Sequence, residues 1–229
     1  MSYRVQSWRL IKSPLLLWQL NELFAHCYLP EDVLQLIAIG NKLESQRFYE
    51  FFWQCLGDLE FIRAFVSIPA SKSHHHAFPG GLLEHSIECV NIVESNLKLI
   101  FEMSQNEKEA TLLAALFHDA GKVKTLSLDE HTQLGKIMDH EAFTLTALSA
   151  GLVQLQKSWC QGATVLQYLL TWTEKKGFCK FVGGNVLKMA DHLSTSYSLY
   201  KQGFSKKPKH HFFAPIKVGS SVKYVNRLP

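Results

Sequence analysis

The chain is predicted to be all-α, a helical bundle with an N-terminal helical extension and an irregular, basic C-terminal tail. Three features predict this. Apolar residues recur at intervals of three and four through most of the 229 residues. Gly and Pro stand at the breaks between those stretches. Short runs bearing Val, Ile and Tyr, suited to loop or minor strand, lie at the end of the chain.

Taken in order, Leu15, Leu16, Trp18, Leu20, Leu23, Phe24 and Tyr28 keep one apolar face of a first helix. Pro30 suits the first turn of a second, where Glu31 and Asp32 favour its N-terminus, and Gly40 marks its end. A third helix is expected over roughly 42–66, carrying Phe48, Phe51, Phe52, Cys55, Leu59, Ile62 and Phe65; these aromatics read as core rather than as a ligand groove. Residues 67–81 form a linker by composition, with Pro69, Pro79 and the Gly80-Gly81 pair. Helices then follow over about 81–103 and 107–118, with Gly121 as a C-cap. Residues 123–139 are irregular or a short hairpin. Further helices are expected at about 140–156, 160–175 and 185–202.

Composition limits the function classes. With 47% hydrophobic residues and a mean hydropathy of −0.02, the chain is a folded soluble type rather than a disordered one. It has no uncharged apolar stretch long enough for a membrane span and no signal-type N-terminus, so a cytoplasmic location is expected. Five scattered cysteines without a CxxC pair fit reduced thiols. Residues 201–229 hold seven Lys and Arg and no acidic residue, so the first 200 residues carry −3 of the net +4. A basic tail that includes Lys206 and Lys207 points to a polyanionic partner, nucleic acid above all.

The chemistry lies in the stretch 74–122 and in one later residue. His85 stands early in one helix, and His118-Asp119 closes the next. Adjacent helical side chains diverge by about 100°, so this pair can serve one ion only where the backbone leaves the helix, and Gly121 supplies such an end. Asp191 is a lone carboxylate among apolar helical neighbours. It is a surface charge, a partner of Lys188, or a buried group that needs a cation. Imidazole and carboxylate together suit Zn, Mn, Fe, Ni or Mg. His74, His75 and His76 sit in the linker, which Pro79-Gly80-Gly81 would bend back toward the His85 helix; His75 and His76 are the preferred functional pair, with one imidazole reaching substrate or acting as a general acid. The other histidines read as structural or surface residues.

The pattern His85…His118-Asp119…Asp191, with LLAALFHDAGK around the pair and HHAFPGGLLEHS around the first histidine, resembles the HD-domain metal-dependent phosphohydrolases. Within that superfamily it is similar to the subgroup of 3′→5′ exoribonucleases and HD-type conjugative relaxases. The resemblance covers roughly 74–200 and implies three segments: 1–70 packing on the core, an HD domain over 71–202, and the basic tail 203–229. It implies a metal held by His85, His118, Asp119 and Asp191, with Lys122 as a phosphate contact or, equally, a helix-terminal cation. His140 matches a second-site histidine, but Trp172 and Thr173 stand where the subgroup places another pair, with Glu174 as a substitute oxygen ligand. One metal site is therefore expected, with the second incomplete. The expected activity is metal-dependent cleavage of phosphodiesters in nucleic acid. A non-catalytic or relaxase-related nucleic-acid-binding module of a mobile-element transfer system and a small-nucleotide phosphohydrolase stand as alternatives.

Overall fold

The structure, a computed structural model, describes residues 13–172, 177–218 and 221–228. Helices α1 (Leu17–His26), α2 (Pro30–Asn41), α3 (Gln46–Gly57) and α4 (Leu59–Ser67) precede the histidine-bearing linker. After it come α5 (Gly81–Leu97), α6 (Gln105–Phe117), the short α7 (Lys122–Thr125) and α8 (Thr144–Ala147), then α9 (Ser149–Ser158), α10 (Cys160–Thr171) and α11 (Val182–Phe204). An antiparallel hairpin, β1 (Phe213–Val218) with β2 (Ser221–Asn226), ends the described chain. The fold is the all-α bundle that the periodicity predicts, with a small hairpin in the basic tail. No helix among the described residues is long and apolar enough to cross a membrane, and all five cysteines are unpaired.

Local chemistry sets the boundaries, and several differ from expectation. Pro30 does open α2, with Glu31 and Asp32 in its first turn. The single helix expected over 42–66 is two. Asp58 leaves helical geometry, and its side chain accepts from the Phe61 backbone N–H at 3.2 Å, capping α4. The apolar repeat runs on through this break because α3 and α4 turn their apolar faces to the same core. Helix α5 stops at Leu97, short of 103, and Ser104 caps α6 by accepting from the Glu107 N–H at 3.2 Å. The helix expected from 140 begins as a 3₁₀ turn (His140–Phe143) before α8 and α9. Gly121 is not a left-handed C-cap: its φ is −62°. It is needed because a Cβ there would overlap the His140 carbonyl oxygen.

One continuous core joins α1–α4 to the later helices. Phe117, the last residue of α6, lies at its centre. The rings of Phe51, Phe52, Phe61 and Phe65 surround it with centroids 5.9–6.3 Å away. The N-terminal aromatics are therefore core, as expected, and they fix the end of α6 from which His118 and Asp119 project. Helices α5, α6 and α11 pack on one another beside this cluster. The hairpin rests on the last turn of α11 at Gly203, where a Cβ would meet Val225 at 2.7 Å and Ile216 at 3.0 Å.

Two stability outcomes follow from this packing. Phe117→Ala removes the ring at the centre of the cluster and is expected to cost about 3–5 kcal/mol in a denaturant melt. At Asp32, burial lifts the carboxyl to about 6, with help from Glu84, Glu88 and Glu31, and its Oδ2 is buried without a hydrogen-bond partner. The folded state thus holds this proton more tightly than the unfolded chain, so stability is lost as pH rises from about 4 through about 6. Asp32→Asn is expected to stabilise the protein at pH 7.5 by on the order of 1 kcal/mol, after solvent screening, and to give no gain near pH 4.

Candidate metal centre

His85 lies in the second turn of α5 and is fully buried. His118 ends α6. Beyond it the backbone tightens, with the Ala120 N–H bonding the Phe117 carbonyl at 3.0 Å and the Lys122 N–H bonding the Asp119 carbonyl at 2.9 Å. This departure from the helix lets adjacent His118 and Asp119 face one point. Asp191 approaches from α11. Nε2 of His85 is 3.6 Å from Asp119 Oδ2 and 3.4 Å from Asp191 Oδ1. Nε2 of His118 is 3.5 Å and 3.9 Å from the same two oxygens.

The outer partners of the two imidazoles determine where their protons sit. His118 Nδ1 is 2.9 Å from the Ala115 carbonyl, which only accepts, so Nδ1 carries the hydrogen. His118 Nε2 is then a bare lone pair, and it is buried with no hydrogen-bond partner. His85 Nδ1 is 3.0 Å from Ser194 Oγ, and that hydroxyl gives its one hydrogen to Glu88 Oε2 at 2.8 Å. Ser194 must accept from His85 Nδ1–H, so His85 also turns a lone pair inward. Two nitrogen lone pairs thus confront two carboxylate oxygens, an arrangement that a cation completes. Ligand atoms held tetrahedrally at 2.0–2.2 Å stand about 3.3–3.6 Å apart, so the observed spacings of 3.4–3.9 Å are those of such a site slightly opened.

Charge states agree with this. Burial holds His85 below the ordinary histidine range. Burial would raise Asp119, but Lys122, His118 and His140 outweigh it and hold the carboxyl well below its usual value. Asp191 is likewise lowered against its burial, by the neighbouring imidazoles of His85 and His118. Neutral imidazole beside ionised carboxylate is the protonation state that metal ligation requires.

Other expected residues gather around this set. His140 Nε2 is 2.9 Å from Asp119 Oδ1, and the buried Lys122 places Nζ 2.5 Å from Asp119 Oδ2. Lys122 therefore neutralises Asp119 directly and opens α7 rather than ending a helix. Lys188 reaches the outer oxygen of Asp191 at 3.4 Å, the lysine pairing weighed for that carboxylate. Trp172 lines the cleft over the cluster; Thr173 and Glu174 lie outside the described residues. That cleft, about 440 Å³, runs over His118, Asp119, His140 and Asp191.

The linker bends back as its glycines suggest. Gly80 takes φ +82°, and Gly81 approaches the His76 carbonyl so closely that a Cβ would overlap it. The rings of His75 and His76 come to 5.0 and 5.2 Å from that of His85. His76 is buried at φ +45°, with Nε2 on Glu88 Oε2 at 3.1 Å and its backbone N–H on Ser198 Oγ at 3.1 Å. His75 is half-buried, and burial, then the neighbouring His85 and Lys122, hold it down to about 3. Lys206 and Lys207 stand exposed beyond α11 and add no atom to the cluster.

Sequence reading missed Glu88, Ser194, Lys201 and Cys89. Lys201 Nζ donates to Glu88 Oε1 at 2.8 Å, completing a chain from Lys201 through Glu88 and Ser194 to His85. Helical spacing was the available signal: Cys89 is four residues beyond His85, and Ser194 three beyond Asp191. The Cys89 thiol lies 3.8 Å from His85 Nε2, and burial pushes it well above its usual range, so it stays protonated.

The comparisons with known proteins bear on a similar stretch. Residues 32–132 match the family model TraI_2, described as “Putative helicase”. This stretch includes His75, His76, His85, His118, Asp119 and Lys122 and stops short of His140 and Asp191. The chain is also similar to the 3′-5′ exoribonuclease YhaM of Bacillus subtilis, 28% identical over 109 residues, which is 46% of this chain and 33% of the relative. YhaM of Shouchella clausii is 27% identical over 118 residues, 50% of this chain and 36% of the relative. The chain thus spans about a third of the length of these curated relatives, and its likeness is to a nuclease-like kind of protein. No solved structure matches it significantly.

Among the described residues, the Ser194 hydroxyl is the one hydrogen-bond partner of His85 Nδ1 besides the distant Cys89 sulfur. Ser194→Ala is therefore expected to convert His85 from one tautomer to a mixture, read from imidazole ¹⁵N shifts in protein stripped of metal. Unchanged shifts would show that the hydroxyl does not orient the ring.

Proposed function

We propose that this chain is a metal-dependent phosphohydrolase of the HD type that cleaves phosphodiester bonds in nucleic acid, with the HD domain over 71–202. The observation that carries the reading is the buried, partnerless Nε2 of His118 facing His85, Asp119 and Asp191. The donor set of two imidazoles and two carboxylates fits a divalent first-row ion. Such an ion, when bound, supplies Lewis acidity that activates water and offsets phosphate charge. His85, His118, Asp119 and Asp191 would hold it, and His140 is the residue positioned to extend the set toward a second ion.

The remaining groups act from the protein side. Lys122, already paired with Asp119, lies where its ammonium can turn to a phosphate oxygen. His75, neutral and half-exposed beside His85, is available to hydrogen-bond substrate. His76 supports the centre through Glu88 rather than from the cleft. Lys206, Lys207 and the rest of the basic tail attract the polyanion. The similarity to 3′-5′ exoribonucleases supports a nucleic-acid substrate for this chain too.

A second reading, a non-catalytic nucleic-acid-binding module related to the relaxases, draws on two observations. Lys122 lies 2.5 Å from Asp119 and compensates its charge without an ion, and Trp172 stands in the cleft where a second-site histidine was expected. A small-nucleotide phosphohydrolase would use the same four residues.

One experiment separates the three. Labelled single-stranded RNA and DNA and a nucleotide panel are incubated with the protein and Mn²⁺. Hydrolysis of the strand is expected, with loss in EDTA and return on adding Mn²⁺. His118→Ala is expected to lower the rate by more than the roughly 10–100-fold typical of losing an outer partner. Release of phosphate from nucleotides alone would favour the small-substrate reading. Strand binding without turnover, indifferent to EDTA, would favour the binding module.

A further inference from the structure

The C-terminal hairpin has two dissimilar faces. Ala214 and Ile216 are buried against α11, and Ala214 pairs with Val225 in the register. The outer face carries Phe213, Pro215 and Lys217 on β1 opposite Asn226, Tyr224 and Val222 on β2. Phe213 is 59% exposed and Tyr224 62%, and their rings meet edge to face at 6.1 Å. Two aromatic rings held rigidly in solvent on a two-stranded ribbon are unusual, because burial would ordinarily claim them.

The charge around these rings is of one sign. Residues 201–229 contain no Asp or Glu. Two of the seven cations are engaged within the fold: Lys201 with Glu84 and Glu88, and Arg227 over the Phe204 ring at 4.2 Å and on the His211 carbonyl at 3.0 Å. Lys206, Lys207, Lys209, Lys217 and Lys223 are exposed and make no ion pair among the described residues. Lys217 lies on the aromatic face itself, Lys223 lies on the opposite face of the ribbon, and the unbroken positive charge of the segment suits an anionic partner.

Clefts that share lining residues lie between this face and the metal centre. A cleft lined by Gln202, Gly203, Pro215, Lys217 and Ser73 begins beside the hairpin. Ser73 also lines a second cleft, with Lys72, His74, Lys122 and His140. His140 in turn lines the cleft over His118, Asp119 and Asp191. Lysines line the approach, and the first carboxylate on it, Asp139, lies next to His140.

We propose that the outer face of the hairpin is a docking platform for single-stranded nucleic acid, with bases stacking on Phe213 and Tyr224, phosphates held by Lys217 and the 206–209 lysines, and the strand led along the clefts toward His140. It deepens the nucleic-acid reading above and rests on it for the direction of the strand. Exposed rings need an unpaired base to stack on, which a duplex does not offer. A second copy of this chain is disfavoured as the occupant, because two such faces carry the same charge and repel.

The test is equilibrium binding in EDTA at fixed salt, followed by fluorescence anisotropy with a short labelled RNA, the matching DNA and a duplex. Phe213→Ala/Tyr224→Ala is expected to weaken single-strand binding about tenfold or more, the usual effect of losing a stacking ring. Duplex binding should change much less. Phe213→Trp should keep the wild-type affinity, which separates stacking from a general disturbance of the hairpin. Wild-type affinity in the double alanine variant would overturn the proposal. So would equal losses for strand and duplex, failure of Phe213→Trp to bind, or a wild-type dimer that the alanines disperse. Binding in EDTA is independent of turnover: weakened binding with no hydrolysis in Mn²⁺ keeps the platform and removes the hydrolase, whereas hydrolysis with unchanged binding does the reverse.

Discussion

A carboxylate buried at the end of an apolar helix is costly, and the centre is arranged around that cost. Asp119 is 5% exposed and follows a run of fully buried residues ending in Phe117. An ionised group there needs compensation from every side. Lys122 provides it from the following turn, His140 from the 3₁₀ segment, and the imidazoles of His85 and His118 frame the rest. Gly121 permits this, since any larger residue would drive the His140 segment away. The aromatic cluster around Phe117 holds the helix end against which the groups converge.

Helix α11 supplies the other half. Asp191, Ser194, Ser198 and Lys201 are spaced so that successive turns face α5 and the histidine linker. Asp191 enters the centre, Ser194 sets the His85 tautomer, Ser198 holds the His76 backbone, and Lys201 anchors Glu88. His76 is kept at a positive φ, uncommon for a residue with a side chain. Its bonds to Glu88 and Ser198 and its contact with Gly81 over-determine that conformation. These contacts pin the linker segment that places His75 beside the centre.

Much of this was legible in the sequence. Helical periodicity gave the bundle, and the pairing of His118 with Asp119 before a glycine marked the centre because adjacent residues share a target only where a helix ends. Asp191 stood out as a carboxylate among apolar neighbours. What could not be read were features that depend on the other side of a contact. The break at Asp58 was hidden because α3 and α4 share one core and keep one apolar rhythm. The role of Gly121 is a close approach by His140, nineteen residues away, rather than a local φ. Ser194 and Glu88 are ordinary helical polar residues until the packing of α5 on α11 brings them together. The hairpin was a set of short apolar runs, and only its register shows that Phe213 and Tyr224 share a face.

One feature of α11 has a mechanical consequence. Asp191 and Gly203 are twelve residues apart on an unbroken helix, about 18 Å of stiff rod. The hairpin is seated at one end of that rod and a cluster carboxylate projects near the middle. A tilt imposed at the seat therefore swings Asp191 as well, gearing whatever settles on the ribbon to the spacing of the four side chains.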